Sequence, residues 1–284
     1  MSFLEHIRTC NSFDLGGMRP FRVAGKKVGW VSSELCAGLA DFPDVFIVRD
    51  DAVDLSPGLA DFDARSAGVE AVLESLCEQG LVARRRGERY AVAENLGAEP
   101  LMWIDRGAAT EFGVLNTGFH LNGIVQDGED LKMWVATRAL DKTTYPVALD
   151  NMVAGGQPHG ISAAENLLKE CWEEAGIEAD LASRAVSVGI GSYAMSIPAG
   201  LRRHVMYFYD LELLADFTPR PIDGEVHAFE LMPIQEVAEI VRSSDRFKYN
   251  CNLAIIDFLI RHGMIEPDDP DYAALCVGLR SPQP

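Results

Sequence analysis

The sequence is poor in basic residues and has no long apolar stretch. Lys and Arg together number 25 against 43 Asp and Glu, which gives a net charge of −18. A surface this acidic repels phosphate backbones and anionic lipids, so neither nucleic acids nor membranes are expected as partners. No apolar run reaches the roughly 18 residues of a transmembrane helix, and the first residues lack the pattern of a signal peptide. The sequence therefore predicts a cytoplasmic protein.

Paired cysteines are also lacking. The six cysteines are scattered and none forms a C-x-x-C pair, which argues against a structural zinc site and favours reduced thiols. Internal repeats and low-complexity segments are absent as well. A chain of 284 residues with 48% apolar residues is long enough for two ordinary globular domains.

A turn-rich segment at 94–100 marks the best candidate domain boundary. We expect an N-terminal α+β domain of unassigned role at 1–110 and a second domain at 111–284. In the first, residues 44–50 read as a strand, and Val69, Val72, Leu73 and Leu76 have helical spacing before Gly80. Residues 81–92 then read as a hairpin around Gly87. Together they resemble part of a winged helix, but the net acidic segment favours a solvated hairpin over DNA contact.

The second region alternates strand-like and helix-like segments. A hairpin signal at 127–130 joins its first two strands. A mixed sheet covered by helices on both faces is the predicted architecture, an α/β fold. The strand-like runs are 112–126, 131–139, 203–213 and 225–233, and the helical runs after the central one are 233–242 and 252–263.

The most informative segment is 155–177, a glycine-rich loop followed by a helix. Gly155, Gly156 and Gly160 allow the backbone to approach a ligand closely. Ser162 and Glu165 have the spacing of an N-terminal capping box, and Gly176 is a helix stop. An apolar stripe of Ala164, Leu168, Cys171 and Ala175 is expected to face the core.

Three carboxylates share the other side of this helix. Glu170, Glu173 and Glu174 lie at i, i+3 and i+4, and Lys169 can pair with only one of them. Oxygen ligands of this kind suit a hard divalent cation, Mg²⁺ or Mn²⁺. The alternative is a solvated acidic face, which is common in a protein with 43 acidic residues.

Residues 155–177 resemble the Nudix box, G-x5-E-x7-R-E-U-x-E-E-x-G-U, where U is aliphatic. Gly155, Glu170, Glu173, Glu174 and the Gly176-Ile177 end match it. There are three departures from the pattern: Ile161 replaces a glutamate, Lys169 replaces arginine, and Cys171 takes an aliphatic place as a core residue rather than a nucleophile. The resemblance implies an α/β/α sandwich and a metal-dependent pyrophosphohydrolase that directs water at a diphosphate linkage.

The resemblance extends over nearly the whole chain. Segments 134–156, 209–213, 216–233 and 247–265, with the region that contains VGWV and ends in GERYAV, are similar to Nudix proteins of the thiamine-pyrophosphokinase-associated type. It implies hydrolysis of thiamine diphosphate or of its oxidised analogues. The N-terminal domain would then either form a wall of the pocket or mediate a homodimer.

Residue roles follow from the same resemblance. The implied metal ligands are Glu170 and Glu174, with Glu173 assisting, and the partner is a diphosphate-containing small molecule. Two other functions remain open: isoprenyl diphosphate isomerase chemistry, and a catalytically impaired ligand sensor, which Ile161 and the hairpin would favour. The candidate catalytic residues are Glu173, Glu174 and Glu225, and the candidate substrate-binding residues are Gly155, Gly156, Arg138, Lys142 and Lys169.

Overall fold

The computed structural model describes residues 2–128 and 130–284. Among them, no helix is long and apolar enough to cross a membrane. The chain starts with a helix and then forms a small α+β unit. The elements are α1 (Phe3–Cys10), β1 (Met18–Val23), β2 (Lys26–Ser32), α2 (Ser33–Leu39), β3 (Phe46–Val48), β4 (Val53–Leu55), α3 (Phe62–Glu78), β5 (Arg89–Val92) and β6 (Met102–Asp105), followed by a 3-10 turn (Arg106–Ala108).

The N-terminal unit is built on a four-stranded sheet in the order β2-β1-β4-β3. Only β1 and β4 are parallel in it. The predicted helix is confirmed as α3, which buries the four expected apolar side chains. The predicted strand at 44–50 is confirmed as β3.

The predicted hairpin at 81–92 is wrong. Only its second half forms a strand, β5, and it pairs with β6 rather than with residues 81–86. Carboxylates take the backbone donors that a hairpin ladder would need. Asp105 accepts hydrogen bonds from the N–H groups of Arg86 and Gly87, and Glu111 accepts one from Ala83. No wing is therefore formed by this arginine-rich segment.

The second region contains a seven-stranded mixed sheet and five helices among the described residues. The elements are β7 (Leu115–Asp127), β8 (Asp130–Arg138), β9 (Leu149–Asn151), β10 (Val153–Gly156), α4 (Ala163–Ala175), α5 (Ala179–Ala182), β11 (Val186–Ile197), β12 (Gly200–Glu212), β13 (Val226–Pro233), α6 (Ile234–Ser243), α7 (Cys251–Arg261) and α8 (Tyr272–Gly278). Strands β11-β12-β7-β8-β13 are consecutive in the sheet, β10 pairs with β7 and β9 pairs with β8. Parallel pairing occurs between β7 and β12, and the other strand pairs are antiparallel.

Both faces of this sheet are covered, which confirms the predicted α/β architecture. Strand β12 shows the alternation: Met206 and Phe208 join the core beneath α7, whereas Leu211 joins the core beneath α4. Helix α4 therefore lies on the opposite face from α6 and α7.

Helix α1 does not belong to the core of the N-terminal unit. Its buried side chains Phe3, Ile7 and Cys10 join the core that contains α7 and α8. At the other end of the unit, Phe112 and Val114 join the N-terminal core. The division at residue 110 stays a prediction. Helix α1 packs in the core of the second region, whereas Phe112 and Val114 pack in the N-terminal core, so the two cores do not divide at a single position in the sequence.

Candidate active site

Helix α4 begins and ends as the sequence predicts. The Ser162 hydroxyl accepts a hydrogen bond from the N–H of Glu165 at 3.2 Å, and the Glu165 carboxylate accepts one from the N–H of Ser162 at 2.8 Å. Gly176 ends the helix at a φ of 63°, a left-handed conformation that favours glycine. The capping box and the glycine stop are thus confirmed.

The buried face of α4 is rotated relative to the predicted stripe. Ala164 is exposed and Leu168 is half-buried, whereas Leu167 is buried with Cys171 and Ala175. Residues seven positions apart lie on the same face of a helix. Burying Leu167 therefore turns Glu174 toward the sheet, which makes this acid part of the interior. Cys171 is completely buried, and burial raises the pKa of its thiol to about 12, as suits a core residue.

Glu174 is a buried carboxylate without a cationic partner. It is 8% exposed, and one of its oxygens accepts a hydrogen bond from the N–H of Ala154 at 2.9 Å. Burial raises the pKa of Glu174 well above its ordinary value, and the charges of Asp150, Glu170 and Glu225 add to this increase. Among the described residues it forms no salt bridge. A buried charge of this kind is costly unless a cation compensates it.

Glu170 lies one turn before Glu174, against strand β10. A Cβ atom at Gly155 would lie 2.7 Å from Cγ of Glu170, so only glycine leaves room for this side chain. Burial raises the pKa of Glu170, although Lys169 partly offsets the effect. Glu170 and Glu174 therefore both face β10.

Glu173 points to the outer side of α4. Its carboxylate accepts a hydrogen bond from the Lys169 ammonium at 2.6 Å, the i, i+4 pair expected from the sequence. The same ammonium donates to Glu170 at 3.2 Å. Lys169 thus binds the two more accessible carboxylates of the box in this structure.

The predicted loop position of Gly155 and Gly156 is wrong. Both lie in strand β10, where they pair with Phe119 and Gly118 of β7. Glu170 fills the space beside Gly155, and the Tyr90 hydroxyl contacts the position that a Cβ atom would take at Gly156. Because neither glycine has a side chain, Glu170 and Tyr90 can pack closely against β10.

Glu225 is brought to the box by the segment before β13. The N–H of Arg220 donates to the carbonyl of Ala175 at 2.9 Å, and the N–H of Asp223 donates to the carbonyl of Glu173 at 3.0 Å. Glu225 itself forms a salt bridge with Lys142. Burial raises the pKa of Glu225, but Lys142 and two nearby arginines outweigh this effect, so the net pKa lies below its ordinary value.

Arg138 is placed differently from its predicted contact with substrate. Its guanidinium donates to the carbonyls of Thr144 and Tyr145 and to the carboxylate of Asp150, each at 3.0 Å. The side chain is 14% exposed. Arg138 therefore positions the loop after β8, and its nitrogens are engaged in that role.

The loop between β10 and α4 has no acidic side chain at the departure from the box pattern. Ile161 is 37% exposed, and its carbonyl accepts a hydrogen bond from the Gln157 side chain at 2.8 Å. His159 faces the N-terminal unit, where its ring lies 5.3 Å from that of Phe62. The box carboxylates of this structure are therefore those of α4.

A second polar cluster, which sequence reasoning missed, lies under the site. Within residues 2–128 and 130–284, His120, Asp150 and Cys251 are the group of three whose donor atoms lie within 4.8 Å of one another. These atoms already have partners. The His120 ring contacts Asn151 at 2.9 Å and Asn250 at 3.1 Å, and the Cys251 thiol donates to Asp150 at 2.7 Å. This cluster is a satisfied hydrogen-bond network.

The box carboxylates suit a divalent cation better. Glu170 and Glu174 supply the hard oxygen donors that Mg²⁺ and Mn²⁺ prefer. Among the described residues the Glu174 carboxylate has no cationic partner, and the glycine at position 155 leaves room for the Glu170 side chain beside β10. The chemistry of this donor set therefore fits a divalent metal ion.

The N-terminal part of the chain matches a known domain family, and part of the chain resembles a solved structure. Residues 2–116 match a family described as a domain of unknown function, DUF4743. A solved structure from Deinococcus radiodurans overlaps 61% of this chain and 98% of its own at 20% identity, with a TM-score of 0.43.

Two relatives from Arabidopsis thaliana are similar over nearly the full chain. Nudix hydrolase 20, chloroplastic, is 40% identical, and Nudix hydrolase 24, chloroplastic, is 41% identical; each comparison covers 98% of this chain and 78% of the relative. The predicted cytoplasmic location is wrong on this comparison, since both relatives are designated chloroplastic. The predicted hydrolase of diphosphate bonds is confirmed. This chain belongs to the Nudix hydrolase family.

Proposed function

We propose that this protein is a divalent-metal-dependent pyrophosphohydrolase acting on thiamine diphosphate or its oxidised analogues. The observation that carries the proposal is the buried Glu174 carboxylate, which lies beside Glu170 and has no cationic partner among the described residues. Nudix hydrolases generally use a divalent metal. A metal at these acids would offset a charge that is otherwise costly in the interior.

Glu170 and Glu174 are the residues that would hold Mg²⁺ or Mn²⁺, with Glu173 assisting. When bound, the ion neutralises diphosphate charge and lowers the pKa of a bound water. Lys142 and two nearby arginines hold the pKa of Glu225 below its ordinary value, which favours the carboxylate form that can bind a metal ion or accept a proton. Lys142 orients Glu225 through their salt bridge, and Lys169 keeps Glu173 near Glu170.

An aromatic pair supports a substrate that has a ring system. Tyr145 is 45% exposed, and its ring lies 5.4 Å from that of Tyr249. Arg138 donates hydrogen bonds to the carbonyl of Tyr145 and to Asp150, an acid whose charge contributes to the raised pKa of Glu174. Exposed aromatic faces bind planar heterocycles through stacking, as the substrate class proposed here requires.

A substrate panel tests this proposal. Purified protein with Mg²⁺ is incubated with thiamine diphosphate, oxidised thiamine diphosphate, nucleotide sugars and dinucleotides, and the released monophosphate is measured. We expect thiamine-type substrates to be hydrolysed fastest, and a chelator or Glu174→Gln to abolish the reaction. Glu178→Gln, an exposed acid just beyond the box, is the matched control and should retain activity.

The possible results separate the parts of the proposal. Preferential hydrolysis of a nucleotide sugar would overturn the thiamine assignment and leave the reaction class standing. Full activity of Glu174→Gln in the presence of a chelator would overturn the metal-dependent mechanism itself.

A further inference from the structure

The N-terminal unit contacts the Nudix box directly through β5. The Tyr90 hydroxyl lies against Gly156, where any larger residue would collide with it. One residue earlier, the carbonyl of Arg89 accepts a hydrogen bond from the N–H of His159 at 2.6 Å. Strand β5 therefore lies along the backbone that connects β10 to α4, and this unit forms part of the site's boundary.

Arg106 follows β6 and lies beside this contact. One terminal nitrogen donates to both carboxylate oxygens of Glu88 at 3.0 Å. The guanidinium carbon lies 5.8 Å from the centre of the Tyr90 ring. Among the described residues, Nε and the second terminal nitrogen of Arg106 donate to no other group, and the side chain is 47% exposed.

Three other cations near the box are already engaged by carboxylates. Lys142 pairs with Glu225, Lys169 pairs with Glu173, and Arg138 uses its nitrogens on Asp150 and two carbonyls. A protein with a net charge of −18 must offset the charge of a diphosphate with local cations. A guanidinium with unused donors is suited to this role, because its planar fork matches phosphate oxygens.

Electrostatic effects link Tyr90 and Arg106 to two acids of the site. Burial is the main reason that the pKa of Tyr90 rises to about 12, and the charge of Glu170 contributes to the increase. Arg106 in turn helps to lower the pKa of Glu225. Tyr90 thus lies within electrostatic reach of Glu170, and Arg106 lies within electrostatic reach of Glu225.

We propose that Arg106 is a substrate-binding residue, supplied by the N-terminal unit, whose free guanidinium edge binds a phosphate oxygen of the diphosphate. Tyr90 positions this arginine and closes the site at Gly156. The inference rests on the proposed function for the identity of the bound anion. It assigns the N-terminal unit a direct part in recognising the substrate of the Nudix site.

Calorimetric titration with methylenediphosphonate, a non-hydrolysable diphosphate, in the presence of Mg²⁺ tests this assignment on the full chain. We expect Arg106→Ala to weaken binding about 10- to 100-fold, since a charge-assisted hydrogen bond is lost. Arg106→Lys should be intermediate, because it keeps the charge and loses the fork. KM for the diphosphate substrate should rise in parallel in both variants.

Two control variants separate substrate binding from a structural role. Glu88→Gln removes the salt-bridge partner of Arg106, and Arg84→Ala removes an exposed arginine of the same unit. Both should bind the diphosphonate within about twofold of the unmodified protein. If Glu88→Gln weakened binding as much as Arg106→Ala, the salt bridge would be the cause and the inference would be overturned.

Unchanged affinity and KM in Arg106→Ala would also overturn the inference, while turnover by the unmodified protein would leave the proposed function intact. Absence of both binding and turnover in the unmodified protein would defeat the proposed function as well. If Arg106→Ala does not fold, Arg106→Lys takes its place. Weaker binding by Arg106→Lys than by Glu88→Gln would then support the inference, and equal binding by the two variants would overturn it.

Discussion

Buried acids on the two sides of the sheet differ in whether a cation of the chain compensates their charge. On one side of the sheet, Asp257 is 2% exposed and accepts hydrogen bonds from Arg261 at 2.7 Å and Arg280 at 2.6 Å. Arg261 also pairs with Asp210 at 2.6 Å. On the other side, Glu174 is nearly as buried but has a single backbone N–H as its partner.

The difference separates structural acids from functional ones. Arginines compensate the charge of Asp257 within the chain, so this acid can stabilise the fold without a ligand. The charge of Glu174 remains without a cation among the described residues, and its pKa is raised accordingly. Groups with strongly perturbed pKa values in such surroundings mark functional sites.

The largest expected effect is on catalysis at Glu174. Glu174→Gln should lower kcat by on the order of 10³-fold, since a metal-binding charge is lost. In metal-free buffer the free energy of unfolding should stay equal or rise. The amide oxygen of glutamine can still accept the hydrogen bond from the Ala154 N–H, and the substitution removes a charge that would have to be buried. Steady-state kinetics and urea unfolding measure the two quantities. A large loss of stability would place Glu174 with the structural acids.

Asp257 should show the opposite behaviour. Asp257→Asn leaves Arg261 and Arg280 without their shared carboxylate, so the free energy of unfolding should fall by about 3 kcal/mol. Activity per folded molecule should remain close to that of the unmodified protein. Urea unfolding with parallel activity assays checks this, and a selective loss of kcat at full stability would remove the contrast between the two groups.

The buried network around His120 sharpens the comparison through its pH dependence. Burial and the charge of Lys248 lower the pKa of His120 to about 4. His120 therefore binds a proton more readily in the unfolded chain than in the folded protein. Its contribution to the free energy of unfolding is fully present above about pH 6.5 and is lost as the pH falls toward 4. His120→Asn should flatten this part of the profile in urea unfolding. Part of the pH dependence should remain in this variant, because burial also lowers the pKa of His204, to about 3.

The smallest effect is expected at Lys169. The Lys169 side chain is 47% exposed, and ion pairs of such exposed side chains contribute less than about 1 kcal/mol. Lys169→Gln should therefore reduce kcat about two- to fivefold by loosening Glu173 and Glu170. Lys169→Arg should retain activity. A loss comparable to that of Glu174→Gln would show that Lys169 contacts substrate, as its place in the box pattern predicts.

Local signals made the box helix predictable. Ser162, Glu165 and Gly176 determine the ends of α4 through contacts within a few residues of each other. The strand position of Gly155 was not predictable in this way, because it depends on pairing with β7. The prediction of a hairpin at 81–92 failed for the same reason. Asp105 and Glu111, which accept hydrogen bonds from the backbone of this segment, lie far from it in the sequence.

The contribution of the N-terminal unit was the least accessible to sequence reasoning. Tyr90 lies 66 positions before Gly156, and neither residue carries a motif that indicates their contact. Arg138 had the residue type and location of a phosphate ligand, yet the carbonyls of the neighbouring loop engage it. Long-range packing and competing hydrogen bonds therefore decided which of the predicted side chains remain free.

Binding of Mn²⁺, followed by electron paramagnetic resonance, tests the central claim most directly, because it needs no substrate. Titrations compare the unmodified protein with Glu174→Gln, Glu170→Gln and the control Glu178→Gln. We expect the unmodified protein and the control to bind Mn²⁺ equally, and each box variant to bind at least about tenfold more weakly. Equal Mn²⁺ affinity in all four proteins would contradict the assignment of Glu170 and Glu174 as metal ligands.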